Sequence, residues 1–365
     1  MGMKCGIVGL PNVGKSTLFS ALSNAKAEAA NYEFCTIEPN VGIVNVPDPR
    51  LKVLEGLINP QKVIPTFMEF VDIAGLVAGA HKGEGLGNKF LGNIREVDAI
   101  IHVIRCFEDP NVVRSAGPVN PMSDKEIIDT ELQLKDLEAI DKKIQKIQKA
   151  AKNGDAAAKA ELATLEKFKL HLEQGKNIRS IDATAEDLEF VLDLCLLTQK
   201  PVMYVANVDE DGLHTGNKFT EALIQGVSSE KAIVITLCAK IESEIAEIED
   251  LDERIMFLGE YGLKESGLDQ LIRSGYSLLN LITYFTAGVK EVRAWTINRG
   301  WKAPQAAGVI HSDFEKGFIR AEVIKLTDYE KYKTEPAIKD AGKMGVEGKE
   351  YVVEDGDIMH FRFNV

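Results

Sequence analysis

This sequence lacks the cysteine patterns that build disulfide scaffolds or zinc sites. Its 365 residues include five cysteines, Cys5, Cys35, Cys106, Cys195 and Cys238, and each stands singly, with no C-x-x-C pair. Reduced thiols that pack as small hydrophobic side chains are therefore expected.

Membrane and export signals are also missing. No apolar run approaches the roughly 20 residues that a transmembrane helix needs, and the first residues do not follow the pattern of a signal peptide. We expect a cytoplasmic protein with no membrane partner.

Positive charge is in deficit. The sequence has 43 lysines and arginines against 56 aspartates and glutamates, a formal net charge of −13. This balance argues against a protein that binds nucleic acid over most of its surface, and no DNA partner is expected. It does not exclude a local basic face.

What the sequence does contain is a phosphate-binding loop near its start. Gly9 to Ser16 fits G-x-x-x-x-G-K-[ST], between an apolar run and a helical pattern. Glycines let the backbone N–H groups curl inward, and the following helix adds the positive end of its dipole, so polyphosphate is the natural ligand. Lys15 is predicted to reach the β- and γ-phosphates, and the Ser16 hydroxyl to ligate Mg²⁺. The predicted phosphate-binding residues are Asn12, Val13, Gly14, Lys15, Ser16 and Thr17.

Two further segments have the spacing of a nucleotide-dependent switch. Thr36, in an irregular polar segment, is the candidate to close over Mg²⁺ and the γ-phosphate. An apolar strand ends at Asp72, the first residue of a D-x-x-G motif, which places a carboxylate beside the Mg²⁺ shell and the amide of Gly75 beside the γ-phosphate. Mg²⁺ is therefore the expected cofactor, and its predicted ligands are Ser16, Thr36 and Asp72.

The residue after D-x-x-G is Leu76, where many P-loop GTPases carry a glutamine that positions the attacking water. Leucine cannot hydrogen-bond water, so either turnover is slow or another group positions the water. His81, on a glycine-rich stretch, and Arg114 are candidates, and a polar surface role is the alternative for both. The predicted catalytic residues are Lys15, Thr36, Gly75 and His81.

Residues 207–210, Asn-Val-Asp-Glu, follow an apolar strand at the place where guanine nucleotidases carry N-K-x-D. In that motif the aspartate accepts hydrogen bonds from guanine, and the lysine packs over the base. Here Val208 replaces the lysine, and Glu210, one methylene longer, stands at the aspartate position. Adenine has an acceptor at N1 that a carboxylate repels, so ATP is expected over GTP, with a displaced Glu210 that still reaches guanine as the alternative. The predicted base-binding residues are Asn207, Val208, Glu210, Cys238 and Ala239.

A long insertion separates two buried strands. Residues 99–105 and 201–207 are continuous apolar strands, and the intervening 106–200 exceed what one crossover helix needs. Apolar spacings of three and four from Leu137 to Ala151 and from Leu162 to Leu172 predict a coiled-coil-like helical hairpin. Residues 140–160 carry six lysines and two aspartates, a local charge of +4. That charge fits either a solvated helix face or a contact with RNA or an acidic protein.

The end of the chain changes character. Acidic helices are expected to about Tyr284. In residues 285–365 apolar and polar residues alternate as in β-strands, with one helical stretch near Lys331 to Lys343. The predicted fold class is α/β. It has a P-loop NTPase (Ras-like) sheet formed by residues 1–122 and 201–280, an inserted helical hairpin at 123–200, and an α+β domain at 281–365.

Taken together, these motifs resemble the YchF family, within the Obg-related P-loop proteins. The C-terminal part is similar to that family's TGS domain, a ubiquitin-like β-grasp. The resemblance covers essentially the whole chain and rests on the phosphate loop and on residues 34–40, 72–76, 83–91, 207–210, 283–288 and 307–321.

The resemblance implies an ATPase of GTPase ancestry that associates with ribosomes (70S and large subunit) or ribosomal RNA and acts as a switch in translation or stress responses. Lys15, Ser16, Thr36 and Asp72 fall on the family's phosphate and Mg²⁺ positions. Residues 238–240, Cys-Ala-Lys, stand where related proteins often have Ser-Ala-Lys. This departure keeps the backbone contact to the base and removes a hydroxyl. A monomer is expected.

Other functions stay open on the sequence alone. A GTPase, or a nucleotide-gated scaffold that binds proteins and does not act on the ribosome, fits the same motifs. A P-loop small-molecule kinase fits the phosphate loop but is less favoured, because the later motifs follow the order of nucleotidases and no arginine-rich lid is evident.

Overall fold

The computed structural model describes residues 3–24, 40–73, 86–112, 117–230 and 232–364. The chain divides into two units. Among the described residues, the first unit holds 3–24, 40–42 and those between 69 and 271, and the second holds 43–68 and 272–364. Residues 43–68 thus belong with the C-terminal part, which differs from their predicted place in the phosphate-loop domain. The finer division at residues 122, 200 and 280 stays a prediction.

Strands occur in both units. They are β1 (Lys4–Val8), β2 (Val41–Asn45), β3 (Val63–Ile64), β4 (Phe67–Asp72), β5 (Ala99–Arg105), β6 (Val202–Asn207), β7 (Ile233–Leu237), β8 (Leu281–Ala287), β9 (Val292–Asn298), β10 (Phe318–Ile324), β11 (Gly345–Glu347) and β12 (Ile358–Phe363).

Helices follow most of these strands. They are α1 (Lys15–Asn24), α2 (Pro49–Ile58), α3 (Leu86–Glu96), α4 (Pro121–Lys152), α5 (Ala156–Glu173), α6 (Ala185–Glu189), α7 (Gly212–Thr215), α8 (Lys218–Val227), α9 (Ala239–Glu247), α10 (Leu251–Glu260), α11 (Gly267–Leu278), α12 (Ala303–Ile310), α13 (Ser312–Lys316), α14 (Leu326–Tyr332) and α15 (Glu335–Asp340). Short 3₁₀ turns lie at Ile178–Ser180, Leu192–Leu194, Leu197–Gln199 and Ser228–Glu230.

The first sheet has the strand order β2-β4-β1-β5-β6-β7. Strand β1 pairs in parallel with β4 and β5, and the β5–β6 and β6–β7 pairs are also parallel. Both β5 and β6 are buried along their whole length, as in parallel sheets covered on both faces. Since parallel strands end at the same edge, Val8, Asp72, Arg105, Asn207 and Leu237 lie at one edge of this sheet. Ligands of open α/β sheets bind at that edge.

The inserted hairpin forms as predicted. Helices α4 and α5 are joined by a turn at residues 153–155, where Gly154 has a φ of 98°. Asp155 then caps α5 by accepting hydrogen bonds from the N–H groups of Ala157 (2.9 Å) and Ala158 (3.1 Å). Ile140 and Phe168 are fully buried between the helices. The hairpin is thus stabilised by its own apolar core.

A buried charge cluster anchors the first turns of α4. Lys125 Nζ lies 2.6 Å from Asp129 Oδ2 and 2.7 Å from Glu230 Oε1. Arg179 approaches the other Asp129 oxygen at 3.4 Å, and the Tyr204 hydroxyl on β6 donates to Glu230 at 2.8 Å. Burial acts to raise the pKa of Asp129, but the two cations outweigh burial, and the pKa is lowered. The cluster therefore ties the base of the hairpin to a central strand of the sheet.

The second sheet has the order β11-β10-β12-β8-β9-β3. Strands β8 and β9 form an antiparallel hairpin, β12 returns parallel to β8, and β10 pairs antiparallel with both β12 and β11. Helix α12 buries Ala303 and Ala307 in the same core as Tyr284 and Phe318. A mixed α+β architecture is confirmed for this part, and its assignment as a TGS domain stays a prediction.

Two elements of this region differ from the sequence prediction. Residues 281–287 form β8, although acidic helices are predicted to about Tyr284. The run is apolar without a period and is buried at all but one position, so its pattern cannot separate helix from strand. Helices α12 and α13 also lie in a stretch for which the alternation predicts strand and loop.

Helix α2 and strand β3 complete the second unit from earlier in the chain. Leu51 and Leu54 of α2 pack in one core with Phe285, Ile338 and Ile358. The two residues of β3 pair in parallel with Val292 and Arg293 of β9. The C-terminal sheet is therefore extended by residues from the first quarter of the sequence.

Two features expected from the sequence concern membrane-spanning helices and the state of the cysteines. In the part of the chain that it describes, no helix is both long and apolar enough to cross a membrane. Burial raises the pKa of the Cys5 and Cys106 thiols to about 12, which suits inert packing. Cys195 is exposed, and Cys35 lies outside the described residues.

Candidate nucleotide-binding site

The phosphate loop connects β1 to α1 with backbone conformations that need small residues. Asn12 has a φ of 62° and Gly14 a φ of 91°, both in the left-handed region. A Cβ at Gly14 would collide with the side chain of Asn207, and one at Gly9 would lie 2.7 Å from the Val103 carbonyl oxygen. Glycine at both positions therefore lets the loop lie directly on its neighbours.

Lys15 opens α1 and contacts Asp72 at the end of β4. Its Nζ forms an ion pair with Asp72 Oδ1, and only 8% of Lys15 is exposed. Lys15, predicted to bind phosphate, and Asp72, predicted to bind Mg²⁺, come from separate motifs and are in contact in the structure. Ser16 and Thr17 follow Lys15 on the first turn of α1 and are exposed. A triphosphate that binds Lys15 would replace Asp72 as its partner and leave the carboxylate available to a cation.

The donors at this point fit Mg²⁺. Ser16 offers a hydroxyl and Asp72 a carboxylate, and Mg²⁺ in nucleotide sites is commonly held by one or two carboxylates with phosphate oxygens and water. Among the described residues, no group of three His, Cys, Asp or Glu side chains could hold a metal ion by itself. Nucleotide phosphates would supply the remaining ligands, and the bound ion would neutralise their charge.

Asn207, at the end of β6, joins the phosphate loop to the loop after β7. Its Nδ2 donates to the Val13 carbonyl oxygen at 2.9 Å, and its Oδ1 accepts from the Ala239 N–H at 2.9 Å. The side chain is buried, with 4% exposed. Both polar atoms are thus engaged within the protein, and the N–H of Ala239, a predicted base-binding residue, is held by Asn207.

A cavity of about 600 Å³ lies beside these groups. Eight of the predicted binding residues line it, namely Asn12, Gly14, Thr17, Asn207, Val208, Glu210, Cys238 and Ala239. Six further lining residues were missed from the sequence, namely Phe107, Asp109, Val112, Asp209, Asp211 and Lys240. The cavity therefore brings together the phosphate and base segments that lie about 190 residues apart in the sequence.

The wall formed by residues 107–112 is held by Arg105, the last residue of β5. Its guanidinium donates to the carbonyl oxygens of Phe107 (3.1 Å), Asp109 (3.2 Å) and Val112 (3.2 Å). It also lies 4.6 Å from the centre of the Phe107 ring. Only 4% of Arg105 is exposed. The sequence signal for this role is a charged residue at the end of an otherwise apolar buried strand.

Replacing Arg105 by methionine is expected to raise the Kd for ATP about tenfold and to change the rate at saturating ATP little. The reason is that the three carbonyl groups lose their common donor and residues 107–112 no longer form a fixed wall. Isothermal titration and steady-state kinetics measure the two effects. Arg105→Lys, which keeps the charge with fewer donors, should be intermediate.

The control for this prediction is Arg95→Met, which removes an exposed arginine from α3. A folded Arg105→Met protein that binds ATP like the wild type would contradict a positioning role. So would a variant that loses rate at saturation but keeps its affinity.

Glu210 and Lys240 form an ion pair at the cavity. Lys240 Nζ lies 2.8 Å from Glu210 Oε1, and the hydrogen bond from Lys240 to Glu210 raises the pKa of the lysine. Glu210 follows β6, and Lys240 is the second residue of α9. The carboxylate at the guanine-reading position is thus already engaged by a cation.

Several predicted groups lie outside the described residues. They include the catalytic candidates Thr36, Gly75 and His81, together with Leu76 and Arg114. Their roles stay predictions.

The chain is similar to known proteins over its whole length. Residues 4–153 match a family model described as "50S ribosome-binding GTPase", and residues 281–364 match the YchF C-terminal model, described as "Protein of unknown function (DUF933)". Proteins named "Ribosome-binding ATPase YchF" are similar over their full lengths. That of Pasteurella multocida is 59% identical over 365 residues and that of Bacillus subtilis 56% over 367, with 100% of each chain covered. The chain belongs to the YchF family. A solved structure, described as "Structure of the Schizosaccharomyces pombe YchF GTPase", is 41% identical, covers 99% of this chain and 98% of its own, and has a TM-score of 0.89.

Membership of the YchF family confirms the resemblance seen in the sequence motifs and the predicted P-loop NTPase fold class. The relatives' names differ in the nucleotide, since the proteins of P. multocida and B. subtilis are called ATPases and that of S. pombe a GTPase. The side chains of the cavity that would face the base therefore bear on whether this chain prefers ATP or GTP.

Proposed function

We propose that this chain is a Mg²⁺-dependent ATPase that binds ribosomes or ribosomal RNA and acts as a nucleotide-dependent switch in translation or stress responses. It works as a monomer in the cytoplasm and binds ATP in preference to GTP. The observation that carries the base preference is the state of the guanine-reading positions. Val208 supplies no ammonium group, both polar atoms of Asn207 are engaged, and the Glu210 carboxylate is paired with Lys240.

The phosphate end supports the hydrolase part of the proposal. Lys15 and Asp72 are in contact, and Ser16 follows Lys15 and is exposed, so one bound triphosphate can meet a lysine, a hydroxyl and a carboxylate. Thr36 and Gly75 would complete the γ-phosphate contacts, and His81 is the proposed group that positions water. ATP hydrolase activity agrees with the names of the relatives from P. multocida and B. subtilis.

Two observations support a ribosomal partner. The same two relatives are named ribosome-binding, and the N-terminal family model is described by 50S ribosome binding. In addition, Lys146, Lys149, Lys152 and Lys159 are exposed near the turn of the hairpin. Exposed lysines on a helix pair are suited to contact RNA phosphates.

A GTPase is the second candidate, and it is favoured by the name that the S. pombe protein carries. A nucleotide-gated scaffold for protein partners is the third. Its distinguishing property would be binding to proteins and not to ribosomes, with nucleotide serving only as a conformational ligand.

Side-by-side titration of ATP and GTP with Mg²⁺, together with ribosome cosedimentation across a salt series, tests the proposal. We expect ATP to bind more tightly than GTP. We also expect the protein to sediment with 70S ribosomes and large subunits and to dissociate as salt rises, because phosphate contacts are salt-dependent. GTP affinity tenfold above ATP affinity would overturn the base assignment. Absence of sedimentation at every salt concentration would overturn the ribosomal partner.

A further inference from the structure

The ion pair between Glu210 and Lys240 lies where the base would be read. Both side chains line the cavity together with Val208 and Asn207. Since Asn207 is engaged at both polar atoms, the polar side-chain groups at this wall that can turn toward a base include the ammonium and carboxylate of the pair.

A bare carboxylate at this position favours guanine. Guanine presents two N–H donors, at N1 and at its 2-amino group, and a carboxylate accepts from both. Adenine presents an acceptor at N1, and two acceptors that face each other without a proton between them lose a hydrogen bond and repel. A glutamate alone would therefore select GTP.

Lys240 adds hydrogen-bond donors beside this carboxylate. Its ammonium, 2.8 Å from Glu210 Oε1, has three N–H donors and uses one on that oxygen. A second donor can face the acceptor at N1 of adenine, while the same ammonium competes with the guanine N1–H for the carboxylate.

We infer that Lys240 is a specificity-determining residue of this site, which converts a guanine-reading carboxylate into an adenine-accepting ion pair. The inference rests on the proposed ATPase function and names the side chain that sets its base preference. Val208 removes a contact to guanine, and Lys240 adds one to adenine.

The pair contributes little to folding, which makes it suitable for substitution. The Lys240 side chain is 70% exposed and that of Glu210 46% exposed, and ion pairs exposed to solvent add little to the stability of a fold. A variant at Lys240 is therefore expected to fold, and a change in base preference can be measured without a change in stability.

The experiment is titration of Mg-ATP and Mg-GTP into wild type, Lys240→Met and the control Lys218→Met. Lys218 is also exposed and lies 3.4 Å from Glu108, but it does not line this cavity. In Lys240→Met the ratio of the GTP Kd to the ATP Kd is expected to fall about tenfold, equivalent to about 1.4 kcal/mol. The control should keep the wild-type ratio.

A double variant makes the assignment specific to the pair. When Glu210→Gln is added to Lys240→Met, the bare carboxylate is gone, and the shift toward GTP should disappear. An unchanged ratio in Lys240→Met, or an equal shift in Lys218→Met, would overturn the inference. If the wild type itself binds GTP more tightly, the proposed ATP preference fails, whereas the role of Lys240 is judged by the change between wild type and variant.

Discussion

Replacing Lys15 by alanine is expected to lower the rate of ATP hydrolysis by roughly 10²–10³-fold, the usual effect of removing one preorganised donor that faces developing charge. Lys15 is held at the start of α1, where a phosphate bound in the loop would meet it together with the backbone N–H groups. Phosphate release under saturating Mg-ATP measures the effect. ATP affinity should fall as well, because the same ammonium contacts the bound phosphates.

Lys4→Ala is the matched control for this prediction. Lys4 lies on β1, pairs with Glu69 at 3.1 Å, and has a side chain that is 45% exposed. Its loss should leave hydrolysis unchanged. If Lys15→Ala kept the wild-type rate while its circular dichroism spectrum stayed native, the phosphate loop would not be the site of chemistry.

The second large effect is expected at Asp72. In Asp72→Asn, Mg²⁺-dependent hydrolysis should fall by roughly 10²-fold or more, because the substitution removes the charge of the proposed metal ligand. Binding of ATP in EDTA should instead become about tenfold tighter. The substitution removes both a competitor for Lys15 and a negative charge near the phosphates. Phosphate release with Mg-ATP measures the first effect, and titration of ATP in EDTA measures the second.

Glu69→Gln serves as the control, since it removes one negative charge from the same strand, where Glu69 pairs with Lys4. Both the Mg²⁺-dependent hydrolysis and the metal-free ATP binding should resemble the wild type in that variant. Metal-free ATP affinity that is unchanged or weaker in Asp72→Asn would show that the Lys15–Asp72 ion pair does not oppose phosphate binding.

Much of the first unit could be predicted from the sequence because its signals are local. The glycines of the phosphate loop, the continuous apolar runs at 99–105 and 202–207, and the three-and-four spacing of the hairpin each specify one element. Once the strands are parallel, the residues that end them must share an edge. The predicted meeting of Asn12, Val208 and Cys238 at one cavity follows from that topology.

The residues missed at the site make contacts that no local pattern encodes. Arg105 donates to backbone carbonyl groups, which every residue type carries, so its partners leave no trace in the sequence. Lys240 meets Glu210 across 30 positions, at the far end of a neighbouring strand and its loop. Strand β8 was missed because a run of buried apolar residues has the same composition in a helix and in a central strand.

The interleaving of the two units has a consequence for how this protein can be divided. The stretch matched by the C-terminal family model begins at residue 281, whereas the core that it builds includes Leu51 and Leu54, and its sheet includes the strand Val63–Ile64. A gene fragment that starts at residue 281 would leave those side chains behind and uncover the face that they fill. The C-terminal part therefore cannot be added to or removed from a nucleotide-binding domain by joining or cutting the chain near residue 281 alone. A fragment that keeps this core intact has to contain both segments.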